Sequence, residues 1–217
     1  MKVTSKPGRG EKLHIHIDGV YTATTSLTFW HSQSVKNGDE LTPEEVTDLL
    51  QKIQDRRFFE QAITYLSCRD YSKKELSDKL VGKAYRKNAA GCNRETFKES
   101  AERACNRLEE LGVLNEERFA RSFAEELIRN KKISKRGLYQ ELTRKGVRRE
   151  IAESIIEEME IDPEASIREL LETKYRNRDL NDEKDKRRTI RALQRLGYSF
   201  SEIKSVMEDY ISYTEEY

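Results

Sequence analysis

Residues 108–113 read LEELGV, residues 142–147 read LTRKGV and residues 193–198 read LQRLGY. In each stretch a leucine is followed four positions on by glycine and then by an apolar residue. The leucine suits the buried stripe of a helix's last turn. Glycine just past a helix end adopts the left-handed conformation that other residues resist, and the next apolar side chain then folds back on the core. Three such endings in one chain predict a protein assembled from small helical units.

The spacing around these endings fills in the units. Before the first ending, Phe58, Phe59, Ala62, Ile63 and Leu66, then Leu76 and Leu80, then Phe97, Ala101, Ala104, Leu108 and Leu111 recur at helical intervals. The second set is Phe119, Phe123 and Leu127, then Leu138 and Leu142, then Ile151, Ile155 and Met159. The third is Ile167, Leu170, Leu171 and Tyr175, then Ile190, Leu193 and Leu196, then Ile203, Val206, Met207 and Tyr210. Ser72, Asn115, Ser134, Asp162 and Ser199 or Ser201 precede these runs as N-caps. Residues 83–94 read as a loop. Gly137 falls inside a helix, where it costs about 1 kcal/mol relative to alanine, and a close approach of another backbone would compensate.

The first 55 residues differ in kind. Residues 12–17 alternate, with Leu13, Ile15 and Ile17 on one face and His14 and His16 on the other; Asp18-Gly19 is a hairpin turn, and residues 20–28 read as the return strand. Residues 1–10 read as disordered. Leu27, Phe29, Trp30 and Val35 are the expected cover for the sheet. Thr42-Pro43-Glu44-Glu45 starts a helix with a capping box. The expected fold is mostly α: tandem three-helix repeats in an elongated curved array, with a small N-terminal extension containing a β-hairpin. The divisions are residues 1–55 for the extension, 56–114 for repeat 1, 115–160 for repeat 2 and 161–217 for repeat 3.

Composition narrows the function. Of the 217 residues, 35% are hydrophobic and 37% charged, which suits stacked repeats that touch only their neighbours. No apolar run approaches the ~20 residues that cross a bilayer, and the N-terminus has no apolar leader, so a cytoplasmic location is expected and no membrane partner. Cys68, Cys92 and Cys105 form no CxxC pair and read as reduced thiols. Two histidines on a strand face could begin a zinc site, but no third ligand is evident nearby, so His14 and His16 read as exposed strand residues. There is no phosphate loop, HExxH or nucleophile elbow, and neither a catalytic residue, a metal nor a cofactor is expected.

Charge is uneven despite a net of +1. Residues 129–149 hold nine basic residues and one acidic, Glu141; residues 150–164 hold seven acidic and none basic; residues 174–195 hold nine basic and four acidic. Charge blocks are most often solvated faces. The functional reading is a basic strip facing a polyanion or an acidic protein surface.

Three ordered stretches resemble the RecX family of recombinase regulators: AITYLSCRDYSKKELSDKL at 62–80, RLEELGVLNEERFA at 107–120 and KRGLYQELTRKGV at 135–147. The resemblance covers about residues 58–211. The chain departs from the pattern in VGKAY at 81–85, where the family has a Lys-Gly-aromatic turn, and in Gly197-Tyr198, where Gly-Phe is frequent. The resemblance implies a non-enzymatic modulator of the RecA recombinase, active in DNA repair and the SOS response. Such a protein lies in the groove of the RecA–DNA filament and inhibits strand exchange and ATPase activity. A monomer with weak direct DNA binding is expected. The partner-binding candidates are Lys131, Lys132, Lys135, Arg136, Arg144, Lys145, Arg148 and Arg149, with Lys186, Arg187, Arg188, Arg191 and Arg195; Arg69, Asp70 and Tyr71 at a unit corner and Arg118 beside the second junction complete the set. A direct DNA-binding helical module and an adaptor for another protein are the alternatives.

Overall fold

The computed structural model describes residues 1–87 and 94–215 and divides the chain into two compact units, Met1–Leu114 and Asn115–Tyr217.

In the first unit, strands β1 (Val3–Pro7), β2 (Lys12–Ile17) and β3 (Val20–Ser26) form an antiparallel sheet in that order. Asp18 and Gly19 both have positive φ, as the tight turn between β2 and β3 requires. The segment expected to be disordered is instead β1. Val3 faces Ile17 and Ser5 faces Ile15, and the Val3 N–H donates to the Asp39 carbonyl at 2.9 Å. Val3, Leu13, Ile15 and Trp30 are buried together. Leu27 is exposed and takes no part in that cover. A register shift between Ile15 and His16 disturbs the strand, and both histidines are half-buried rather than exposed. His14 Nδ1 lies 2.9 Å from Thr24 Oγ1, and His16 Nδ1 lies 3.2 Å from the His14 carbonyl.

The short helix α1 (Leu27–His31) leads to α2 (Pro43–Leu66). Both halves of the expected capping box form: Glu45 N–H donates to Thr42 Oγ1 at 3.2 Å and Thr42 N–H to the Glu45 carboxylate at 2.8 Å. Helix α2 runs unbroken through residue 55. Its first half buries Leu49 and Ile53 against the sheet, and its second half buries Phe58 and Ala62 among α3 (Lys73–Lys87) and α4 (Arg94–Glu110). Helix α3 continues through positions 83–87, where a loop was expected; Asn88, Gly91, Cys92 and Asn93 lie outside the described residues.

The second unit contains α5 (Glu116–Lys131), α6 (Lys135–Arg144) and α7 (Arg149–Glu158) around one core, and α8 (Pro163–Glu172), α9 (Glu183–Arg195) and α10 (Phe200–Glu215) around another. The caps fall where the sequence puts them: Asn115, Ser134 and Asp162 accept from the first-turn amides of α5, α6 and α8, and Ser199 rather than Ser201 caps α10.

The three helix endings share the left-handed glycine, and Leu108, Leu142 and Leu193 are fully buried. Val147 and Tyr198 fold back onto their cores as expected. The first copy differs. Leu111 is 50% exposed and Val113 41% exposed, and Leu114, 4% exposed, fills the place. Both the Val113 and the Leu114 N–H reach the Leu108 carbonyl at 3.0 Å, so the turn delivers the second apolar residue inward.

The two cores of this unit meet backbone to backbone. Leu196 ends α9, and its carbonyl, which no intrahelical donor can reach, accepts from Ser134 N–H at 3.0 Å and Ser134 Oγ at 3.1 Å. Ser134 Oγ also accepts from Gly137 N–H at 3.1 Å, so one serine caps the start of α6 and satisfies the end of α9. The positive end of one helix thereby meets the negative end of the other. A Cβ on Gly137 would overlap the Leu196 carbonyl oxygen, and one on Gly197 would stand 2.6 Å from Gly137 Cα. The close approach inferred for Gly137 is this one. Tyr198 Oη closes the joint by donating to the Lys132 carbonyl at 2.6 Å.

Candidate functional site

The start of α6 carries the most distinctive charge in the second unit. Lys132 takes a left-handed conformation (φ 51°) to end α5, Ile133 is buried, and α6 begins with Lys135 and Arg136 exposed in its first turn. No acidic residue stands in that turn. Cations at a helix N-terminus face the positive end of the dipole, where a carboxylate would be favoured by about 0.3–1 kcal/mol. Helix stability therefore does not account for Lys135 and Arg136. Among the described residues neither makes an ion pair, and the same holds for Lys131, Lys186, Arg191 and Arg195.

Other candidates are held by neighbours. Lys132 meets Glu169 at 2.8 Å, Arg148 meets Glu116 at 2.6 Å and Arg149 meets Glu153 at 2.8 Å. Arg144 pairs with Glu141, and Lys145 Nζ lies 5.3 Å from the Phe123 ring centroid. Arg187 and Arg188 reach Glu183 and Asp185, each at 3.3 Å. Arg118 is exposed on α5. The exposed pairs among these, such as Arg149–Glu153 and Arg187–Glu183, contribute only about 0–1 kcal/mol, so a polyanion can exchange for them at little cost; the Glu116 side chain, 10% exposed, is the exception.

The corner of the first unit is arranged differently. Tyr71 is 4% exposed and belongs to the α2–α3–α4 core, so it is a packing residue rather than a surface contact. Its hydroxyl is bonded to Lys79 Nζ, which with nearby Arg69 holds the phenol below its ordinary pKa despite burial. The Arg69 guanidinium lies 3.8 Å from the Tyr71 ring centroid and pairs with Glu75 at 2.8 Å; that hydrogen bond raises its pKa further. Asp70 is half-buried, and its carbonyl accepts from Arg69. Of the three, Arg69 is the side chain presented to solvent.

On α9, Arg188, Arg191 and Arg195 share an open concavity with Arg178, Asp185 and Gln194. Arg178 precedes the helix and was not singled out from the sequence. Its only signal was membership of the basic stretch 174–195.

Among the described residues no group of three or more His, Cys, Asp or Glu is placed to hold a metal ion, and no helix is long and apolar enough to cross a membrane. Burial pushes the Cys105 thiol up to about 12, whereas Cys68 is exposed. Thiolate is the reactive form. In a Cys92→Ser background, a thiol reagent at neutral pH is therefore expected to label one cysteine in the folded protein, Cys68. Labelling of Cys105 should require denaturant; two fast-reacting thiols under native conditions would show that the first core opens.

The fold is that of a mostly helical protein built from three-helix domains. The model of the second three-helix domain of RecX matches residues 115–155, and that of the third matches residues 161–207. The chain is similar to the regulatory protein RecX of Caldanaerobacter subterraneus subsp. tengcongensis, with 28% identity over 152 residues covering 70% of this chain and 71% of that protein. It is also similar to the regulatory protein RecX of Bacillus subtilis, at 23% identity over 99% of this chain and 78% of that protein. A crystal structure of a regulatory protein RecX shares the fold, with a TM-score of 0.60 at 16% identity over 95% of this chain and 97% of that one. The similarity to RecX thus spans the six helices of the second unit by domain and, through the relatives, most of the chain, and those relatives carry the name of a regulatory protein.

Proposed function

We propose that this protein regulates DNA repair and the SOS response in the cytoplasm by binding the RecA recombinase–DNA filament as a monomer and inhibiting its strand exchange and ATPase activities. Residues 1–55 serve as an extension, and residues 56–114, 115–160 and 161–217 as three helical repeats. Similarity to regulatory proteins RecX supports the reading. The observation that carries it is Lys135 and Arg136, exposed at the positive end of α6 and without an ion pair among the described residues, a position that binding explains and folding does not. Several modest contacts on a connected chain multiply into useful avidity on a repeating partner.

The test is the variant Lys135→Glu/Arg136→Glu/Arg144→Glu/Lys145→Glu, assayed for inhibition of the RecA ATPase. Loss of about 1.4 kcal/mol of binding is tenfold, and at least that rise in half-inhibitory concentration is expected. Unchanged inhibition with an intact circular dichroism spectrum would remove this strip from the mechanism. A wild-type protein without effect on RecA at any dose would end the proposal.

A further inference from the structure

A groove of about 480 Å³ lies among α1, α2 and α4 of the first unit. Its apolar surface comes from Phe29, Phe59 and Ala104. Lys52, Arg56, Arg103 and Arg107 line it as well, against one carboxylate, Asp55. We infer that this groove is a docking site for a short acidic segment of a partner protein that carries an aromatic anchor. The inference goes beyond the proposed function: it involves none of the partner-binding candidates named above, and its test needs no recombinase.

Depth sorts the lining into two layers. Ala104 is buried and Phe29 and Phe59 are half-buried, whereas Lys52, Arg56, Arg103 and Arg107 are exposed. An apolar centre inside a charged rim is the anatomy of a protein interface, where a few desolvated aromatic anchors carry most of the binding energy. A phosphodiester backbone offers nothing to cover two aromatic rings. Helical spacing sets the rim. Lys52 and Arg56 stand four residues apart on α2, and Arg103 and Arg107 four apart on α4, so each wall carries two cations about 6 Å apart along its helix. Asp55 adds little repulsion, because its carboxylate already accepts from Arg103 at 2.9 and 3.1 Å and from Gln51 at 3.0 Å. The same bonds hold the Arg103 side chain in place, which lowers the ordering cost of binding. The other three cations rest on carboxylates outside the lining: Lys52 on Asp48 at 2.7 Å, Arg56 on Glu60 at 2.7 Å and Arg107 on Glu110 at 2.9 Å. These are exposed pairs within one turn of a single helix, and an incoming carboxylate replaces them at little cost. The Arg56 guanidinium lies 5.9 Å from the Phe59 ring centroid, so a cation and a ring are offered side by side. That complements a peptide in which carboxylates flank an aromatic side chain.

The test is fluorescence anisotropy of the full chain with two short labelled peptides. One is built of aspartate and glutamate around two central phenylalanines; the other has both phenylalanines replaced by serine. The first is expected to bind at least about tenfold tighter, as an aromatic anchor requires. Equal binding of the two, or no binding of either, would overturn the inference. Both peptides are measured on the unaltered protein, so no core substitution enters this comparison. Arg56→Glu/Arg107→Glu then locates the site. Both side chains are exposed, and the reversal is expected to weaken the phenylalanine peptide by about tenfold or more, because like charges now face it. Lys6→Glu/Arg9→Glu, the same reversal in and beside β1, should leave the affinity unchanged. Unaltered affinity in the α2–α4 variant, with an unchanged melting curve, would reject the groove. A labelled oligothymidylate is read in parallel. If the α2–α4 reversal weakens the oligonucleotide and spares the peptide, the groove belongs to single-stranded nucleic acid and the inference fails.

Discussion

Gly137→Ala is expected to destabilise the second unit by about 3–5 kcal/mol. Overpacking a closed contact costs roughly 1–3 kcal/mol, and each hydrogen bond lost with it costs about 1 kcal/mol. The added methyl would overlap the Leu196 carbonyl oxygen and stand 2.8 Å from the Leu196 carbonyl carbon and from Ile133 Cγ1. Neither backbone atom is the far end of a flexible chain, so α6 and the end of α9 must separate. Both Ser134 bonds to the Leu196 carbonyl then lengthen. Gly197→Ala attacks the same contact from the other side and adds the strain of φ +93°. The contrast is Gly82→Ala in α3, where the new Cβ meets nothing within 4 Å. There the ordinary helix preference for alanine applies, and a gain of up to about 1 kcal/mol is expected. Urea midpoints of the three variants decide the matter. Equal behaviour of Gly137→Ala and Gly82→Ala would mean that the two backbones do not meet in solution.

The joint also shows where sequence reasoning reaches and where it stops. A glycine in a helix pointed to a close approach, because its cost needs a reason, but nothing local could name Leu196 as the partner. Local chemistry was legible throughout. The caps at Thr42, Asn115, Ser134 and Asp162, the buried leucines before each glycine and the Asp18-Gly19 turn all depend on residues within a few positions of one another. Strand β1 was missed because its order comes from pairing with β2 and from the Asp39 carbonyl, more than thirty residues away. Val113 and Leu114 are both apolar, so pattern alone could not say which one the turn sends inward. At the candidate site, the basic segments were visible as composition. Which cations are free was not. Arg148 finds Glu116 and Lys132 finds Glu169 across helices, while Lys135 and Arg136 find no carboxylate among the described residues, and only folding sorts them. Tyr71 looked like a surface corner because Arg and Asp precede it, yet its ring is what Arg69 rests on.

Phe58→Ala is expected to cost about 3–5 kcal/mol, the range for removing a buried aromatic ring from a core, and to be felt in a part of the fold that the ring does not touch. Phe58 is fully buried in the α2–α3–α4 core, with its ring centroid 6.1 Å from that of Phe97. One turn earlier on the same helix, Ile53 is buried with Ile15 and Trp30 against the sheet. A continuous α-helix propagates order along its own hydrogen bonds, so α2 ties the stability of the sheet to that of the helical core. Asp55, between the two faces, reinforces the tie through Arg103 of α4 at 2.9 Å. Hydrogen exchange reads the consequence directly, because local openings report the free energy of each cooperative segment. In Phe58→Ala, amides of α4 such as that of Ala104 should lose protection, and the amide of Ile15 in β2 should lose it in step. Ile53→Val, which removes one methylene from the sheet side at a cost of about 0.5–1.5 kcal/mol, should produce a smaller fall in both places. Lost protection in α4 with β2 unmoved would show that α2 carries two independent cores instead of joining them.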